Sequence, residues 1–214
     1  MTRVYSGIAV GLVAFLLAAM AFLIFPGVPQ LIARLTNSGD VFADCRTSVV
    51  AGGAAAIGGP FTLMDHNGQL VSEADVITGP TLVYFGYSYC PDVCPLDNAR
   101  NAEAVDLLKA KGLDVRPVFV SVDPDRDTPA VMGEFVSYMH PDMIGLTGTA
   151  DQIKAAAKAY KVYYRKVTEE EHYLVDHSTF TYLMAPEHGF LEFYKRAQTP
   201  QEVAQSVACY ASKL

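Results

Sequence analysis

Residues 81–95 (TLVYFGYSYCPDVCP) combine an apolar run with two cysteines, Cys90 and Cys94. The apolar half is typical of a buried strand, and the residues after Cys94 have a helical pattern. The sequence therefore predicts that the cysteines lie where a strand turns into a helix. A helix start carries free N–H groups and partial positive charge, which favour a thiolate over a thiol. Since thiolates attack disulfides and bind soft metals, the stretch predicts a redox protein, a metal protein, or both.

The elements on either side of this stretch predict an α/β fold. Upstream, a turn at Asn67-Gly68 joins two short alternating segments into a hairpin. Downstream, the pattern predicts helices over 97–111, 128–139, 150–160 and 199–212, and strands over 116–122, 180–184 and 190–194. A βαβ unit followed by a second hairpin and a closing helix indicates a mixed central sheet. A cysteine pair after the first strand of that unit suits a thioredoxin-like fold with an N-terminal hairpin extension.

The cysteine spacing leaves two kinds of chemistry open. The thioredoxin signature has two residues between its cysteines, whereas three, Pro91, Asp92 and Val93, separate Cys90 from Cys94. Two buried cysteines packed as small hydrophobes are the structural alternative. Asp92 and the two flanking prolines favour an exposed turn instead, so thiol–disulfide exchange and metal binding are both compatible with the motif.

Two thiolates alone make an incomplete site for a transition metal. Soft sulfur ligands favour Cu(I), and an added imidazole suits either oxidation state of copper. His177 stands just before a predicted strand, where a thioredoxin-like fold brings the loop against the cysteines. Asp176 is placed to orient the ring of its neighbour. From the pattern alone, a metal ligand and a hydrogen-bonded histidine at a strand edge are equally good interpretations of His177. The other histidines are expected in turns, at a helix end or beside a charge run: His66, His140, His172 and His188.

Residues 123–134 imitate a calcium-binding loop in the spacing of their acidic residues. Asp123, Asp125 and Asp127 occupy the first, third and fifth positions. The sixth position holds Thr128 instead of glycine, and a predicted strand precedes the segment where a helix is required. We therefore interpret the segment as an acidic loop between a strand and a helix.

Residues 1–29 predict a membrane anchor. No charged residue lies between Arg3 and Arg34, and residues 8–25 would span roughly 27 Å as a helix, close to the hydrocarbon thickness of a bilayer. A cleaved signal peptide is the alternative, but its apolar region is usually shorter, about 7–15 residues. We expect a single membrane helix through residues 4–25.

The remainder of the chain predicts a tether over residues 30–58 and a folded domain over residues 59–214. The tether is rich in glycine and alanine. The formal net charge of −7 argues against nucleic acid as a partner, because phosphate binding needs a basic surface. An anchor and a signal peptide would both export the domain, and the even number of four cysteines fits an oxidising compartment.

Four stretches together resemble the Sco/SenC family. They are residues 85–95 (FGYSYCPDVCP), 120–129 (VSVDPDRDTP), 145–148 (GLTG) and 174–178 (LVDHS). They occur in the family's order, and the similarity covers roughly residues 57–212, which argues against a chance match. The resemblance implies a membrane-anchored, thioredoxin-like copper protein that helps to assemble the dinuclear copper-A centre of cytochrome c oxidase.

The resemblance also implies ligands and partners. The family's copper ligands are two cysteines and a histidine, which by position are Cys90, Cys94 and His177, holding one Cu(I) or Cu(II) per chain. The expected partners are the copper-A-bearing subunit and an upstream copper donor chaperone. The expected location is the inner (cytoplasmic) membrane, with the domain in the periplasm or an equivalent oxidising compartment.

Cys45 and Cys209 fall outside this ligand set. In an oxidising compartment a disulfide between them would pin the tether to the end of the domain. Two unpaired thiols, or a Cys45 that pairs between chains, are the alternatives, and we favour the internal bridge.

Two functions are compatible with these residues. One is a metallochaperone that delivers copper to the copper-A site or reduces its cysteines. The other is a thiol–disulfide oxidoreductase or redox sensor that cycles Cys90 and Cys94 through a disulfide without copper delivery. A peroxide-reducing relative is disfavoured, because the peroxidatic Thr-x-x-Cys context is missing.

Overall fold

The computed structural model describes residues 40–168 and 172–214. Cys45–Leu214 form one compact unit, so the end of the predicted tether packs with the domain. The predicted anchor and the membrane helix through residues 4–25 lie outside the described residues. Within the ranges that are described, no helix is both long and apolar enough to cross a bilayer. The division into anchor, tether and domain therefore stays a prediction.

The strands form one large mixed sheet and one small sheet. In the described part of the chain they are β1 (Thr62–Asp65), β2 (Leu70–Ser72), β3 (Thr81–Gly86), β4 (Arg116–Ser121), β5 (Ile144–Thr147), β6 (Tyr164–Lys166), β7 (Val175–His177), β8 (Thr181–Ala185) and β9 (Gly189–Tyr194). The large sheet has the order β2-β1-β5-β4-β3-β8-β9, and β6 pairs with β7 separately. Strands β3, β4 and β5 are parallel and the other pairs are antiparallel, which confirms the predicted mixed sheet.

Helices cover this sheet. They are α1 (Glu73–Val76), α2 (Val93–Lys109), α3 (Pro129–Met139), α4 (Ala150–Ala159) and α5 (Pro200–Ala211), and a 3₁₀ turn covers Ala54–Ala56. Threonine side chains cap the last three helices by accepting a hydrogen bond from a first-turn N–H, and Pro129 and Pro200 occupy first-turn positions. The predicted start of α3 at Thr128 is thereby confirmed, because a capped helix satisfies N–H groups that would otherwise lack partners.

Strand β3, which precedes the cysteine loop, lies in the core of the domain. All six residues of β3 are buried, and the strand lies between β4 and β8 in the middle of the sheet. A buried central strand has apolar neighbours on both faces, as its continuous apolar sequence predicts. The end of β3 therefore offers a rigid base for the loop that follows.

Residues 45–48 are linked to the C-terminal part of the domain by a disulfide and by hydrogen bonds. The structure joins Cys45 to Cys209, the pairing favoured from the sequence, by a disulfide across 164 residues. Beside it, the fully buried Glu192 of β9 accepts hydrogen bonds from Thr47, from Ser48 and from the Tyr210 hydroxyl. Burial alone would raise the pKa of Glu192, but these donors hold it below its ordinary value, so the carboxylate is the form that the donors satisfy.

Several local predictions differ from the structure, and the short helix α1 was also not predicted. The helix that was predicted after Cys94 begins before it, at Val93. Pro95 is tolerated inside this helix because a proline in the first turn costs no intrahelical hydrogen bond. Strand β5 was not predicted, since its four residues include Gly145 and give too short an alternation. Strands β6 and β7 have three residues each, below the length at which a pattern is visible.

Candidate metal centre

Three side chains from separate elements meet at one point. Cys90 lies in the loop after β3, Cys94 in the first turn of α2, and His177 at the end of β7. Their two Sγ atoms and a ring nitrogen lie within 4.8 Å of one another. Among the described residues, this is the group of potential metal ligands that the fold brings together.

The β6–β7 hairpin brings the histidine to the cysteines. Tyr164 pairs with His177 in its antiparallel ladder, and the Ser178 amide donates to the Tyr163 carbonyl oxygen at 2.9 Å. The imidazole Nε2 then lies 3.3 Å from Cys94 Sγ. Thioredoxin-like topology suggested this approach, but the hairpin that achieves it has no clear sequence signal.

The histidine ring has a defined proton arrangement. Its Nδ1 lies 2.9 Å from the Ser178 carbonyl oxygen, which can only accept a hydrogen bond, so Nδ1 carries the proton. In the neutral ring Nε2 therefore presents its lone pair toward the sulfurs. Asp176 does not orient this ring, as the sequence suggested: its carboxylate is largely exposed and lies 3.7 Å from Arg165. Adjacent strand residues point to opposite faces, which explains the error.

Two buried tyrosines hold the imidazole in place. The rings of Tyr84 and Tyr87 meet the His177 ring edge-on, with centroids 6.1 and 5.8 Å away. Tyr87 is buried and shields the site, whereas Tyr89 is 56% exposed. Edge-to-face packing against two aromatic rings restricts the orientation of the imidazole.

The cysteines are buried, which corrects the prediction of an exposed turn. Cys94 is 0% exposed and Cys90 is 9% exposed, although Pro91 and Asp92 between them are exposed. The turn residues face solvent while the sulfurs point inward toward β3. Pro91 and Asp92 therefore correctly predicted an exposed turn, but the side chains of Cys90 and Cys94 are buried and not exposed.

The approach of Cys94 to β3 depends on a glycine. A Cβ atom placed on Gly86 would lie 2.7 Å from Cys94 Sγ and 3.0 Å from a ring carbon of Tyr84. Real Cβ atoms do not approach this closely, so any larger residue at this position would displace the sulfur. Gly86 thus contributes to the site because it has no side chain and leaves room for Cys94 Sγ.

The pKa values of the two thiols are shifted in opposite directions. A hydrogen bond from Cys94 lowers the pKa of Cys90 to about 3, against the effect of burial, and the Asp92 and Cys94 amides donate further hydrogen bonds. The Cys94 amide lies 3.4 Å from Cys90 Sγ at the start of α2. The hydrogen bond to Cys90, together with burial, raises the pKa of Cys94. Cys90 is therefore the thiolate and Cys94 the thiol of the metal-free, reduced pair.

We expect iodoacetamide to alkylate Cys90 in the reduced, metal-free protein at a rate that barely changes between about pH 5 and 9. Cys90 is ionised above its low pKa, whereas an ordinary thiol of pKa about 8.5 gains about tenfold in rate per pH unit below that value. Peptide mass spectrometry would measure the rate. Cys94→Ala removes the main hydrogen-bond donor and should restore a steep dependence; a steep dependence in the unchanged protein would contradict the assignment.

Two buried carboxylates support the cysteine loop, a role that the sequence pattern did not predict. Asp127 accepts hydrogen bonds from the Ser88 amide at 3.1 Å and the Ser121 hydroxyl at 2.5 Å, and thereby ties the loop to β4. Asp123 binds Arg126. Two of the three aspartates in the acidic loop are thus buried, whereas Asp125 is exposed.

The four other histidines do not join the cluster. The ring of His66 accepts a hydrogen bond from the Gly145 amide at 3.2 Å, which links the N-terminal hairpin to β5. His140 is buried at the end of α3, with Nε2 3.3 Å from Asp106. His177 is therefore the histidine that the fold brings to the cysteines, as its position in the sequence suggested.

Comparison with known proteins gives a consistent result. The family model described as SCO1/SenC matches residues 50–212. Protein SenC of Rhodobacter capsulatus is 53% identical over 202 residues, covering 94% of this chain and 91% of SenC. The crystal structure of Arabidopsis thaliana ScoI with copper bound is 44% identical, with a TM-score of 0.70, and covers 73% of this chain and 99% of that one.

Yeast Sco1 with copper bound is 37% identical to this chain. It has a TM-score of 0.70 and covers 74% of this chain and 90% of the yeast chain. These structures share the thioredoxin-like arrangement of a mixed sheet flanked by helices. The chain belongs to the SCO1/SenC family.

Proposed function

We propose that this chain binds one copper ion through Cys90, Cys94 and His177 and delivers it to the copper-A site of cytochrome c oxidase during assembly. The observation that carries the proposal is the convergence of three donor atoms within 4.8 Å. Copper-bound structures of two relatives support the choice of metal. Copper is then cargo, which the protein holds and releases.

The donor set suits copper in either oxidation state. Soft thiolates favour Cu(I), and an added imidazole makes Cu(II) acceptable as well. Three such ligands around one ion lie roughly 4 Å apart, and the Cys94 Sγ to His177 Nε2 distance of 3.3 Å needs only a small outward shift. Cys90 as a thiolate and Nε2 as a lone pair are ready to bind, while Cys94 must release its proton.

Release can proceed by ligand exchange from the Cys90 side. Cys90 retains slight exposure next to the exposed Pro91 and Asp92, whereas Cys94 has none. A partner's thiolate would therefore meet the ion beside Cys90 and displace that sulfur first. The deeper Cys94 and the packed imidazole would leave later, so copper need never be free in solution.

The proposal includes a place in the cell and a set of partners. Residues 4–25 would anchor the chain in the inner (cytoplasmic) membrane, with the domain in the periplasm or an equivalent compartment. The disulfide between Cys45 and Cys209 supports this, because disulfides persist in oxidising compartments. An upstream chaperone would supply copper, and the copper-A-bearing subunit would receive it.

The unequal thiols favour a second candidate function, reduction of the partner's cysteines. The Cys90 thiolate would attack one sulfur of the partner's disulfide and form a mixed disulfide, releasing the other partner sulfur as a thiolate. Cys94 would then lose its proton, attack Cys90 Sγ and release the second partner sulfur. Two electrons and the Cys94 proton pass to the partner, which takes a second proton from solvent to become a dithiol, and Cys90–Cys94 becomes a disulfide.

An anaerobic transfer experiment distinguishes the two functions. The purified full-length chain in detergent is loaded with copper, its stoichiometry and cupric spectrum are recorded, and it is mixed with the reduced, copper-free copper-A subunit. We expect one copper per chain, a sulfur-to-copper charge-transfer band and the appearance of the copper-A spectrum. The Cys90→Ala and Cys94→Ala variants should lack that band.

A parallel mixture contains the oxidised subunit and the reduced, copper-free chain. If only this mixture yields a subunit that accepts copper from solution, thiol reduction is the function and delivery is wrong. If the chain binds no copper in competition with a weak chelator, the copper proposal fails altogether.

A further inference from the structure

One arginine contacts both loops that carry the candidate ligands. Three tyrosine rings lie near the guanidinium carbon of Arg126, with ring centres at 3.7 Å (Tyr173), 4.9 Å (Tyr89) and 5.6 Å (Tyr87). The last two belong to the cysteine loop, whereas Tyr173 leads into β7 and its histidine. A guanidinium over aromatic rings is attracted to their negative faces, so Arg126 links the two loops.

The guanidinium is held in one orientation. Its Nε donates to Asp123 Oδ2 at 2.5 Å, and its Nη1 donates to the Tyr173 carbonyl oxygen at 3.0 Å. The Tyr173 hydroxyl donates back to Asp123 Oδ1 at 2.6 Å. The side chain of Asp123 is fully buried and that of Arg126 is 18% exposed. These contacts form a closed ring of three residues, which we call the Arg126 latch.

Apart from the latch, the histidine hairpin is attached mainly through side-chain packing. Strands β6 and β7 form a separate two-stranded sheet and do not pair with the large sheet. Val175 packs into the core, and Lys166 forms an ion pair with the exposed Asp125 at 2.5 Å. The Val175 amide donates one hydrogen bond to the Tyr87 hydroxyl, and exposed ion pairs contribute little, so the latch is the most extensive polar connection between this hairpin and the cysteine side of the site.

We propose that Arg126 is a positioning residue that holds His177 at the cysteines. The inference rests on the proposed copper-binding function and adds a residue that is not itself a ligand. A hairpin without the latch would sample positions in which Nε2 is away from the sulfurs. Each copper ion would then have to fix the hairpin as it binds, and the affinity would fall by the fraction of molecules in the competent position.

The side chain's chemistry makes the proposal specific. Arginine binds Asp123 and the Tyr173 carbonyl through separate nitrogens of one planar group while it stacks on the ring. Lysine carries the same charge but has one nitrogen and no planar face, so it cannot make all three contacts. A role in positioning therefore requires arginine, whereas a role through charge alone would accept lysine.

Copper affinity of the full-length chain in detergent tests this role. We expect Arg126→Met to weaken binding by about 10- to 100-fold, the usual effect of losing a partner that orients a metal ligand. Arg126→Lys should restore little of the loss. Tyr173→Leu removes the ring and the hydroxyl but keeps the carbonyl that Arg126 binds, and it should reproduce part of the loss. Arg165→Met is the matched control: this exposed arginine lies on β6, and its removal should change the affinity less than about threefold.

A double-mutant cycle with His177→Ala separates positioning from general damage. If Arg126 acts through His177, adding Arg126→Met to His177→Ala should weaken copper binding no further. Additive losses, full rescue by Arg126→Lys, or unchanged affinity in both latch variants would each overturn the inference. Those outcomes leave the proposed function standing, which fails only if the unchanged protein does not bind copper. Cupric magnetic resonance adds a direct readout, since the nitrogen coupling should weaken in Arg126→Met.

Discussion

Replacement of His177 by alanine is expected to weaken copper binding by more than about 100-fold, beyond the 10- to 100-fold that loss of an orienting partner costs. The variant removes one of three converging donors and leaves two thiolates, which hold Cu(I) but provide a poor site for Cu(II). Competition titration against a chelator measures the loss of affinity, and the cupric spectrum should lose the signature of a nitrogen ligand. Thiol–disulfide exchange needs no third ligand, so Cys90 and Cys94 should still reduce a model disulfide.

His188→Ala is the matched control for this variant. His188 lies in the turn between β8 and β9, outside the ligand group, and its removal should leave copper affinity unchanged. If His177→Ala binds copper as tightly as the unchanged protein, the three-ligand site is wrong. If it instead abolishes disulfide reduction and spares copper binding, the ring serves the thiol pair and the second candidate function gains support.

Removal of the Cys45–Cys209 disulfide is expected to lower the free energy of unfolding by about 3–5 kcal/mol. The bridge closes a loop across 164 residues, so it excludes a large share of the conformations of the unfolded chain. Chemical unfolding of Cys45→Ala, followed by far-ultraviolet circular dichroism, measures the loss. The hydrogen bonds between residues 47–48 and Glu192 should keep the segment in place in the folded state.

The partner variants provide the control. Cys209→Ala and the double variant should each lose as much stability as Cys45→Ala, because all three lack the same bridge. Non-reducing electrophoresis should show altered mobility for each of them, since the bridge makes the unfolded chain compact. Equal stability, together with a count of free thiols that falls by one in Cys45→Ala instead of rising by one, would show that Cys45 and Cys209 are not joined.

The sequence predicted those elements whose signals are local. The apolar run of β3, the Asn67-Gly68 turn and the capping threonine of α3 each carry their own physical cause, and each is confirmed. Strand β5 and the β6–β7 hairpin escaped prediction because three or four residues do not establish a period. They form because neighbouring strands and packed side chains stabilise them, which is information outside their own sequence.

Side-chain direction was the other limit. Polar neighbours indicated exposed cysteines, but backbone exposure at Pro91 and Asp92 coexists with sulfurs that point inward. Asp176 is adjacent to His177 in sequence, yet the alternation of a strand sends its carboxylate toward Arg165 and solvent. Conversely, Asp127 lies far from the cysteines in sequence and still holds their loop through Ser88.

By itself the sequence determined the cysteine motif at a strand-to-helix junction, the resemblance that selected His177, and the mixed α/β order of elements. These depend on spacing and periodicity, which the chain carries along its length. The tertiary structure alone decided that Cys94 is fully buried against Gly86, that the two thiols differ in proton affinity, and that Arg126 joins the two ligand loops. Those properties depend on distances between residues far apart in the chain, and only folding sets such distances.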